Sequence, residues 1–270
     1  MQATKIFYKT TNDSVFKAIY TAPNNLHLLK TLLEKCLKKK IEIIKVYSLK
    51  IFKKNIHIKN KTLDVLVKAD DKLINIELNN GYYNLLHRRN AAYIFEKYAE
   101  ATKVGESYNK MGEFIQINFT VGLPDSYPSL GIYTLSDKET KKDFIDNIKI
   151  YEFNIDKIKK ECYNGNKRYD FVAALDYEKQ ELEKFCKGDK YMEAFKKEVE
   201  RWNDDEFREF LSEERETELL KNTLISEAHE EGEKQGIIST AKNMLKEGLD
   251  TDMIMKITGL SKSEIQKMKE

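Results

Sequence analysis

Long apolar runs are missing from this sequence, although 41% of its 270 residues are hydrophobic. No stretch approaches the ~18 consecutive apolar residues of a membrane-spanning helix, so we expect no membrane span. The first residues also lack the apolar segment of a signal peptide, which predicts a cytoplasmic protein. Charged residues make up 34% of the chain, as in a highly charged globular protein of one or two domains.

Cysteine and histidine are scarce as well. The sequence holds three cysteines, Cys36, Cys162 and Cys186, which lie far apart and form no C-x-x-C motif. Its four histidines show no metal-ligand spacing. We therefore predict reduced cysteines, with neither a disulfide framework nor a zinc site.

Charge is distributed unevenly, although the formal net charge is only +2. Residues 28–72 contain thirteen lysines and five acidic residues, whereas acidic residues dominate residues 178–231. A basic surface suits a polyanionic partner such as DNA. The lysines are equally compatible with a solvated surface of no particular function.

Two short segments alternate polar and apolar residues on either side of Asp70 and Asp71. Strict alternation predicts β-strands, here residues 62–68 and 73–79, and the polar pair predicts a tight hairpin between them. A two-residue loop at Asp70 and Asp71 places Asp64 directly opposite Glu77.

Two carboxylates in this arrangement destabilise a strand pair unless something neutralises them. A divalent cation with oxygen ligands is the natural candidate, which points to a metal-dependent phosphodiester enzyme. The alternative is that Asp64 and Glu77 are ordinary solvent-facing strand residues.

The remaining pattern predicts an α/β or α+β fold with a mixed central sheet flanked by helices. The predicted helices cover residues 13–20, 26–37 and 85–102, with Ala91, Ala92, Phe95, Tyr98 and Ala99 of the third turned toward the core. The predicted further strands cover residues 41–51, 114–121, 132–135 and 148–153. We expect a core domain at residues 1–156 and a helical region at 157–270.

The set Asp64, Glu77, Leu78 and Asn79 resembles the PD-(D/E)XK nuclease core, in which an Asp on one strand and an (Asp/Glu)-x-Lys on the next bind Mg²⁺ and activate water. More closely, the chain resembles the recombination-promoting nuclease (Rpn) family of PD-(D/E)XK transposases. Residues 12–17 resemble that family's D-x-x-F-K segment, residues 62–65 its L-D-V strand, and residues 76–79 its I-E-x-Q motif.

Further matches lie in the later part of the chain. Arg88, Arg89 and Tyr93 resemble the family's R-x-x-x-Y helix. Gly232, Gly236 and residues 257–261 resemble its C-terminal tail.

The resemblance implies a Mg²⁺- or Mn²⁺-dependent DNA endonuclease that acts in recombination, mobile elements or phage defence. Asp64, Glu77 and the carbonyl of Leu78 would hold the metal, and Asp13 would complete the catalytic site with Asn79. Lys17, Arg88, Arg89 and Tyr93 would contact DNA. Asp13 is equally suited to be a helix N-cap.

Asn79 departs from the family pattern, which has Lys or Gln at this position. An asparagine carries no positive charge with which to stabilise the developing charge of the reaction. Lys17, Lys68 or His87 could supply the missing charge. The competing hypothesis is a decayed nuclease fold that acts as a DNA-binding or oligomeric interaction module.

The last segment has the outline of a helix-turn-helix, with helices at residues 253–257 and 262–269 and Ser261 as an N-cap. However, residues 230–270 contain eight acidic residues and seven lysines. Because a recognition helix usually lies on a basic face, we expect a small helical bundle that packs on the core or forms homo-oligomers.

Overall fold

The structure is a computed structural model and describes residues 6–47, 65–100, 112–204, 226 and 231–268. Contacts between residues divide the chain into two compact units, Met1–Arg208 and Glu209–Glu270.

Two helices open the first unit. Helix α1 spans Asp13–Thr21, and its N-cap is Asn12, whose side chain accepts a hydrogen bond from the backbone N–H of Val15 at 3.1 Å. After a 3₁₀ turn at Pro23–Asn25, helix α2 spans Leu26–Leu37, the range predicted from its leucine spacing.

The described strands form a six-stranded mixed sheet in the order β1-β2-β3-β4-β6-β5. The strands are β1 Ile43–Tyr47, β2 Val65–Ala69, β3 Lys72–Asn79, β4 Phe114–Thr120, β5 Leu130–Ser136 and β6 Asp143–Asn154. Strands β3, β4 and β6 are parallel to one another, and the outer pairs are antiparallel. Helix α3, Leu86–Glu100, connects β3 to β4. The predicted α/β architecture with a mixed sheet is thus confirmed.

The hairpin of β2 and β3 has the predicted two-residue loop. Ala69 pairs with Lys72 and Val65 pairs with Ile76. Asp70 adopts a left-handed backbone (φ 49°), which Asp tolerates better than most residues. Asp64 lies outside the described residues, so its position opposite Glu77 stays a prediction.

One face of the sheet is apolar and packs against the opening helices. The ring of Phe16 on α1 lies 6.4 Å from that of Phe119 on β4, which in turn lies 5.4 Å from Phe153 on β6. All three side chains are at most 1% exposed, so they form a core between the helices and the sheet.

The opposite face lies under α3 and changes character along the strands. Its first half is apolar, because Phe114 and Ile148 form a cluster with Ile94 of α3. Its second half, toward the carboxyl ends of β3, β4 and β6, consists of buried polar side chains. This polar half holds the candidate site.

The buried stripe of α3 consists of Leu86, Asn90 and Ile94. The predicted inward face of this helix was wrong at Ala92, Phe95 and Ala99, which are exposed. The stripe contains a polar residue because the sheet beneath it is partly polar.

Four more helices follow in the described part of the first unit: α4 Ile155–Tyr163, α5 Asp170–Ala173, α6 Lys179–Phe185 and α7 Lys190–Arg201. Helix α7 packs on α1 through a hydrogen bond of 2.9 Å between the hydroxyls of Tyr20 and Tyr191. Asn203 accepts a hydrogen bond from the backbone N–H of Tyr8 at 2.8 Å. The helices from Ile155 to Arg201 thus belong to the same compact unit as the sheet.

All three cysteines are buried and unpaired, as predicted from their spacing. Burial raises the pKa of the Cys162 thiol to about 11 and that of Cys186 to about 12, and raises that of Cys36 well above its usual value.

The second unit is helical in its described part. Helix α8 covers residues 231–246, α9 Thr251–Thr258 and α10 Lys262–Lys267. Ala241, Ile254 and Ile265, one from each helix, form its buried core. Gly259 ends α9 in a left-handed conformation (φ 73°), and Ser261 caps α10 as predicted. Across the described parts of the chain, no helix combines the length and the apolar character that a membrane span requires.

The aromatic core predicts a large difference between two phenylalanines. Phe16→Ala should lower the free energy of unfolding by about 3–5 kcal/mol because it leaves a cavity against Phe119. Phe144→Ala is the control, because Phe144 is 86% exposed, and it should stay within about 0.5 kcal/mol of the parent. Urea denaturation followed by fluorescence of Trp202, the single tryptophan, measures both. Equal effects would contradict this packing.

Candidate active site

The polar half of the sheet presents eight neighbouring side chains, each at most 3% exposed. They are Asn75, Glu77 and Asn79 on β3, Gln116, Asn118 and Thr120 on β4, and Glu152 and Asn154 on β6. Strand pairing places them side by side, with Asn118 between Glu77 and Glu152. Buried polar groups are normally hydrogen-bonded, and two carboxylates in such a position need compensation.

Glu77 is the predicted carboxylate on β3 and is only 2% exposed. Its Oε1 accepts a hydrogen bond from Asn75 Nδ2 at 3.0 Å. Burial raises its pKa to about 7, although the hydrogen bond from Asn75 and the charges of Arg89 and Lys17 act in the opposite direction. Among the described residues, positive charge therefore does not offset the burial of Glu77.

Asp13 and Lys17 lie on the first turns of α1 and form an ion pair of 2.6 Å. Both act electrostatically on Glu77, since the charge of Asp13 raises its pKa and that of Lys17 lowers it. The charges of the predicted α1 residues thus act on the predicted carboxylate of β3.

Asn79 uses both ends of its side-chain amide within the protein. Nδ2 donates to Thr120 Oγ1 at 3.0 Å, and Oδ1 accepts from Arg89 Nη2 at 2.5 Å. Arg89 is further held by Asn90, whose Oδ1 accepts from its guanidinium at 3.3 Å.

The two arginines of α3 differ in their surroundings. The Arg89 guanidinium lies 5.9 Å from the ring of Tyr83 and 5.7 Å from that of Tyr93. Arg88 is exposed. Of the residues considered for the missing charge, Lys17 acts on Glu77, whereas Lys68 is an exposed residue of β2.

The sequence interpretation missed a second buried carboxylate, Glu152. Its Oε1 accepts from Thr120 Oγ1 at 2.5 Å and its Oε2 from Asn118 Nδ2 at 2.8 Å. Burial raises the pKa of Glu152, and these two hydrogen bonds lower it. The only signal in the sequence was alternation, which puts Glu152 on the same face as Ile148 and Ile150.

His87 is the third residue that could supply the positive charge absent from Asn79. It lies beside Glu152 rather than at Glu77. Its Nε2 is 3.6 Å from Glu152 Oε2, within the range of an ion pair. However, desolvation lowers the pKa of His87, so its imidazole is mainly neutral at pH 7 and the contact is not a full ion pair. Its ring packs against Tyr82 and Tyr127 at centroid distances of 5.8 and 5.4 Å.

Some buried polar atoms of this region have no hydrogen-bond partner in the described part of the chain. They include Asn75 Oδ1 and Gln116 Oε1, which belong to paired residues, and Asn90 Nδ2 on the helix above. Such atoms leave hydrogen-bonding capacity unmet in the polar half of the sheet.

The charges of Asp13, Lys17 and Arg89 thus act on Glu77, and Arg89 is hydrogen-bonded to Asn79, while Asp64 lies outside the described residues. Within those residues, no three carboxylate, histidine or cysteine side chains are placed to hold one metal ion together. A complete ligand set therefore needs groups beyond Glu77, such as the predicted Asp64 and the backbone carbonyl of Leu78.

Comparison with known proteins adds two matches. The family model described as PD-(D/E)XK nuclease family transposase matches residues 10–228. The model described as Rpn/YhgA-like nuclease family, C-terminal HTH domain, matches residues 234–270. No curated protein and no solved structure shows significant similarity to the chain.

The second match corrects the prediction for the C-terminal segment. Because its charges are balanced, we expected a small helical bundle and not a DNA-binding helix-turn-helix. The three helices around Ala241, Ile254 and Ile265 are the ones that the helix-turn-helix model covers. The charge count failed because the apolar core, and not the surface charge, determines this fold. The chain belongs to the PD-(D/E)XK nuclease family of transposases, with the C-terminal helix-turn-helix domain of the Rpn-like nucleases.

Proposed function

We propose that this protein is a Mg²⁺-dependent DNA endonuclease that hydrolyses phosphodiester bonds. The observation that carries the proposal is the buried carboxylate of Glu77, which lies in a family-matched nuclease domain with the charges of Arg89 and Lys17 acting on it.

The residues present fit a divalent metal ion. The pKa of Glu77 stays raised despite a hydrogen bond and two cationic neighbours, so a further positive charge would stabilise its ionised form. The side-chain oxygen Oδ1 of Asn75 has no hydrogen-bond partner in the described part of the chain, and Asn75 lies on the same face of β3 as Glu77. Asp64, Glu77 and the carbonyl of Leu78 would hold Mg²⁺ or Mn²⁺. The ion would supply Lewis-acid activation of water and neutralise charge on the scissile phosphate.

The protein's own contribution is charge and orientation. In the metal-free protein burial raises the pKa of Glu77 to about 7, and a bound cation would displace the proton and lower this pKa. Arg89, held by Asn79 and Asn90, provides a fixed guanidinium that suits a phosphate oxygen. Arg89 therefore supplies the positive charge that an asparagine at position 79 cannot provide, and Lys17 supplies a second one.

DNA is the proposed partner. Exposed Arg88 suits a contact with the DNA backbone, Tyr93 packs against Arg89, and the helix-turn-helix domain offers a second DNA contact.

We further propose homo-oligomers through the C-terminal region, supported by Ile257 and Met253, which are more than half exposed on α9. Recombination, mobile-element movement or phage defence would be the biological setting.

One observation favours an alternative function. Because each end of the Asn79 amide already makes a hydrogen bond within the protein and the side chain is buried, Asn79 is poorly placed to orient an attacking water. The alternative is a nuclease-fold protein that binds DNA without cleaving it.

Cleavage of a supercoiled plasmid tests the proposal. With Mg²⁺ or Mn²⁺ the parent should nick DNA, EDTA should stop the reaction, and Glu77→Gln should lower the rate roughly 100-fold or more because the cation loses its carboxylate. Asp64→Ala should do the same.

Glu113→Gln is the matched control, because Glu113 is a half-buried carboxylate paired with Lys149 just before β4. It should cleave like the parent. A folded parent that binds DNA but cleaves it with neither metal would establish the alternative function.

The raised pKa of Glu77 predicts how stability depends on pH. In the metal-free protein the folded state retains a proton that the unfolded chain releases at about pH 4.5, so this stability is full below that pH and is lost as pH rises through about 7. The free energy of unfolding should fall by about 3 kcal/mol between pH 5 and 8 through this group, and Glu77→Gln should remove the decrease. Adding Mg²⁺ at pH 8 should restore stability in the parent only. Denaturation with urea at each pH measures these changes, and equal pH profiles for parent and variant would disprove the assignment.

Replacing the two arginines of α3 should affect different steps, DNA binding for Arg88 and cleavage for Arg89. Arg88→Ala should weaken DNA binding a few-fold and reduce the salt dependence of log Kd by about one, as for the loss of one phosphate contact. Arg89→Ala should leave binding closer to that of the parent and lower kcat by about 100-fold, since it removes charge at the reacting phosphate. Fluorescence anisotropy and single-turnover cleavage separate the two effects. The reverse pattern would exchange their roles.

A further inference from the structure

Glu152 is a buried carboxylate that the proposed reaction does not use. It lies two strands away from Glu77, on β6, and is joined to the site by a continuous chain of hydrogen bonds. The chain runs from the Arg89 guanidinium to Asn79, then to Thr120, and ends at Glu152.

The chemistry of its two ends fixes the direction of this chain. A guanidinium can only donate hydrogen bonds, and an ionised carboxylate can only accept them. Thr120 therefore gives its hydroxyl hydrogen to Glu152 and must accept from Asn79. Asn79 in turn must present its Nδ2 to Thr120 and its Oδ1 to Arg89.

We propose that Glu152 is a positioning residue for the nuclease reaction: through Thr120 and Asn79 it holds the Arg89 guanidinium in a fixed orientation. The inference rests on the proposed nuclease function. Without the carboxylate, the Thr120 hydroxyl is free to turn its hydrogen toward Asn79 Nδ2, where two donors would face each other, and Arg89 alone would orient the Asn79 amide.

Burial makes this series of hydrogen bonds rigid. Asn79, Thr120 and Glu152 are each at most 3% exposed, so water does not readily replace a lost partner. Asn118 holds the second oxygen of Glu152 at 2.8 Å, which keeps the carboxylate in place on β6. The guanidinium at the far end is therefore oriented by a group that is remote from the scissile phosphate.

Substitutions at Thr120 and Glu152 test the inference in the full-length protein. Thr120→Val keeps the shape of the side chain but removes the hydroxyl, and it should lower kcat for plasmid cleavage about tenfold with little change in KM, as for one hydrogen bond to a charged group. Thr120→Ser retains the hydroxyl and should restore the parental rate. Glu152→Gln should resemble Thr120→Val because one amide oxygen cannot accept from both Thr120 and Asn118. Glu113→Gln, just before β4, is the control.

A double-mutant cycle separates positioning from general damage. If Glu152 acts through Asn79, Thr120→Val and Glu152→Gln should add nothing to the loss caused by Asn79→Ala. Full additivity, or rates of Thr120→Val and Glu152→Gln within twofold of the parent, would overturn the inference.

A second readout does not depend on cleavage. The side-chain amide resonances of Asn79, assigned by their absence in Asn79→Ala, should shift in Thr120→Val and Glu152→Gln and stay in place in Glu113→Gln. A parent that cleaves no DNA would contradict the proposed function alone. In that case shifted resonances would still support the chain of contacts, and unshifted ones would overturn it.

Discussion

The desolvation of Glu77 is the constraint on which the arrangement of this domain depends. A carboxylate removed from water needs hydrogen bonds or positive charge, and β3 alone offers it only Asn75. The remaining compensation comes from other elements, through Arg89 on α3 and Lys17 on α1. The helices that cover the sheet are therefore also the source of its charge. The site exists only once β3, α1 and α3 are packed together.

This arrangement gives a physical meaning to Asn79, the departure from the family pattern. On the strand, an uncharged amide replaces a charged or longer side chain. On the helix above, a guanidinium reaches the same place and is fixed by that amide. In the proposed enzyme the positive charge has thus moved from a strand to a neighbouring helix, and the strand residue has become its support.

The sequence predicts the local features of this fold well and the non-local ones poorly. The β2–β3 hairpin follows from alternation and a two-residue turn, and its register is confirmed by the pairing of Val65 with Ile76. The sequence did not predict that Glu152 is buried, because its burial depends on parallel pairing with β4, which is distant in sequence. Phe95 was misplaced because helix periodicity assumes an apolar partner surface, whereas α3 buries Asn90 over a polar one. Asp64 and the metal site remain predictions.

The cysteines have a practical consequence for work on this protein. Thiols of raised pKa that lie inside a folded domain react slowly with maleimides and with disulfide reagents, because little thiolate is present and access is poor. A single cysteine introduced at an exposed position such as Phe144 would therefore be labelled selectively in the native state, without removal of the natural three. Paired labels of this kind would allow the distance between the nuclease domain and the helix-turn-helix to be followed in solution when DNA is added.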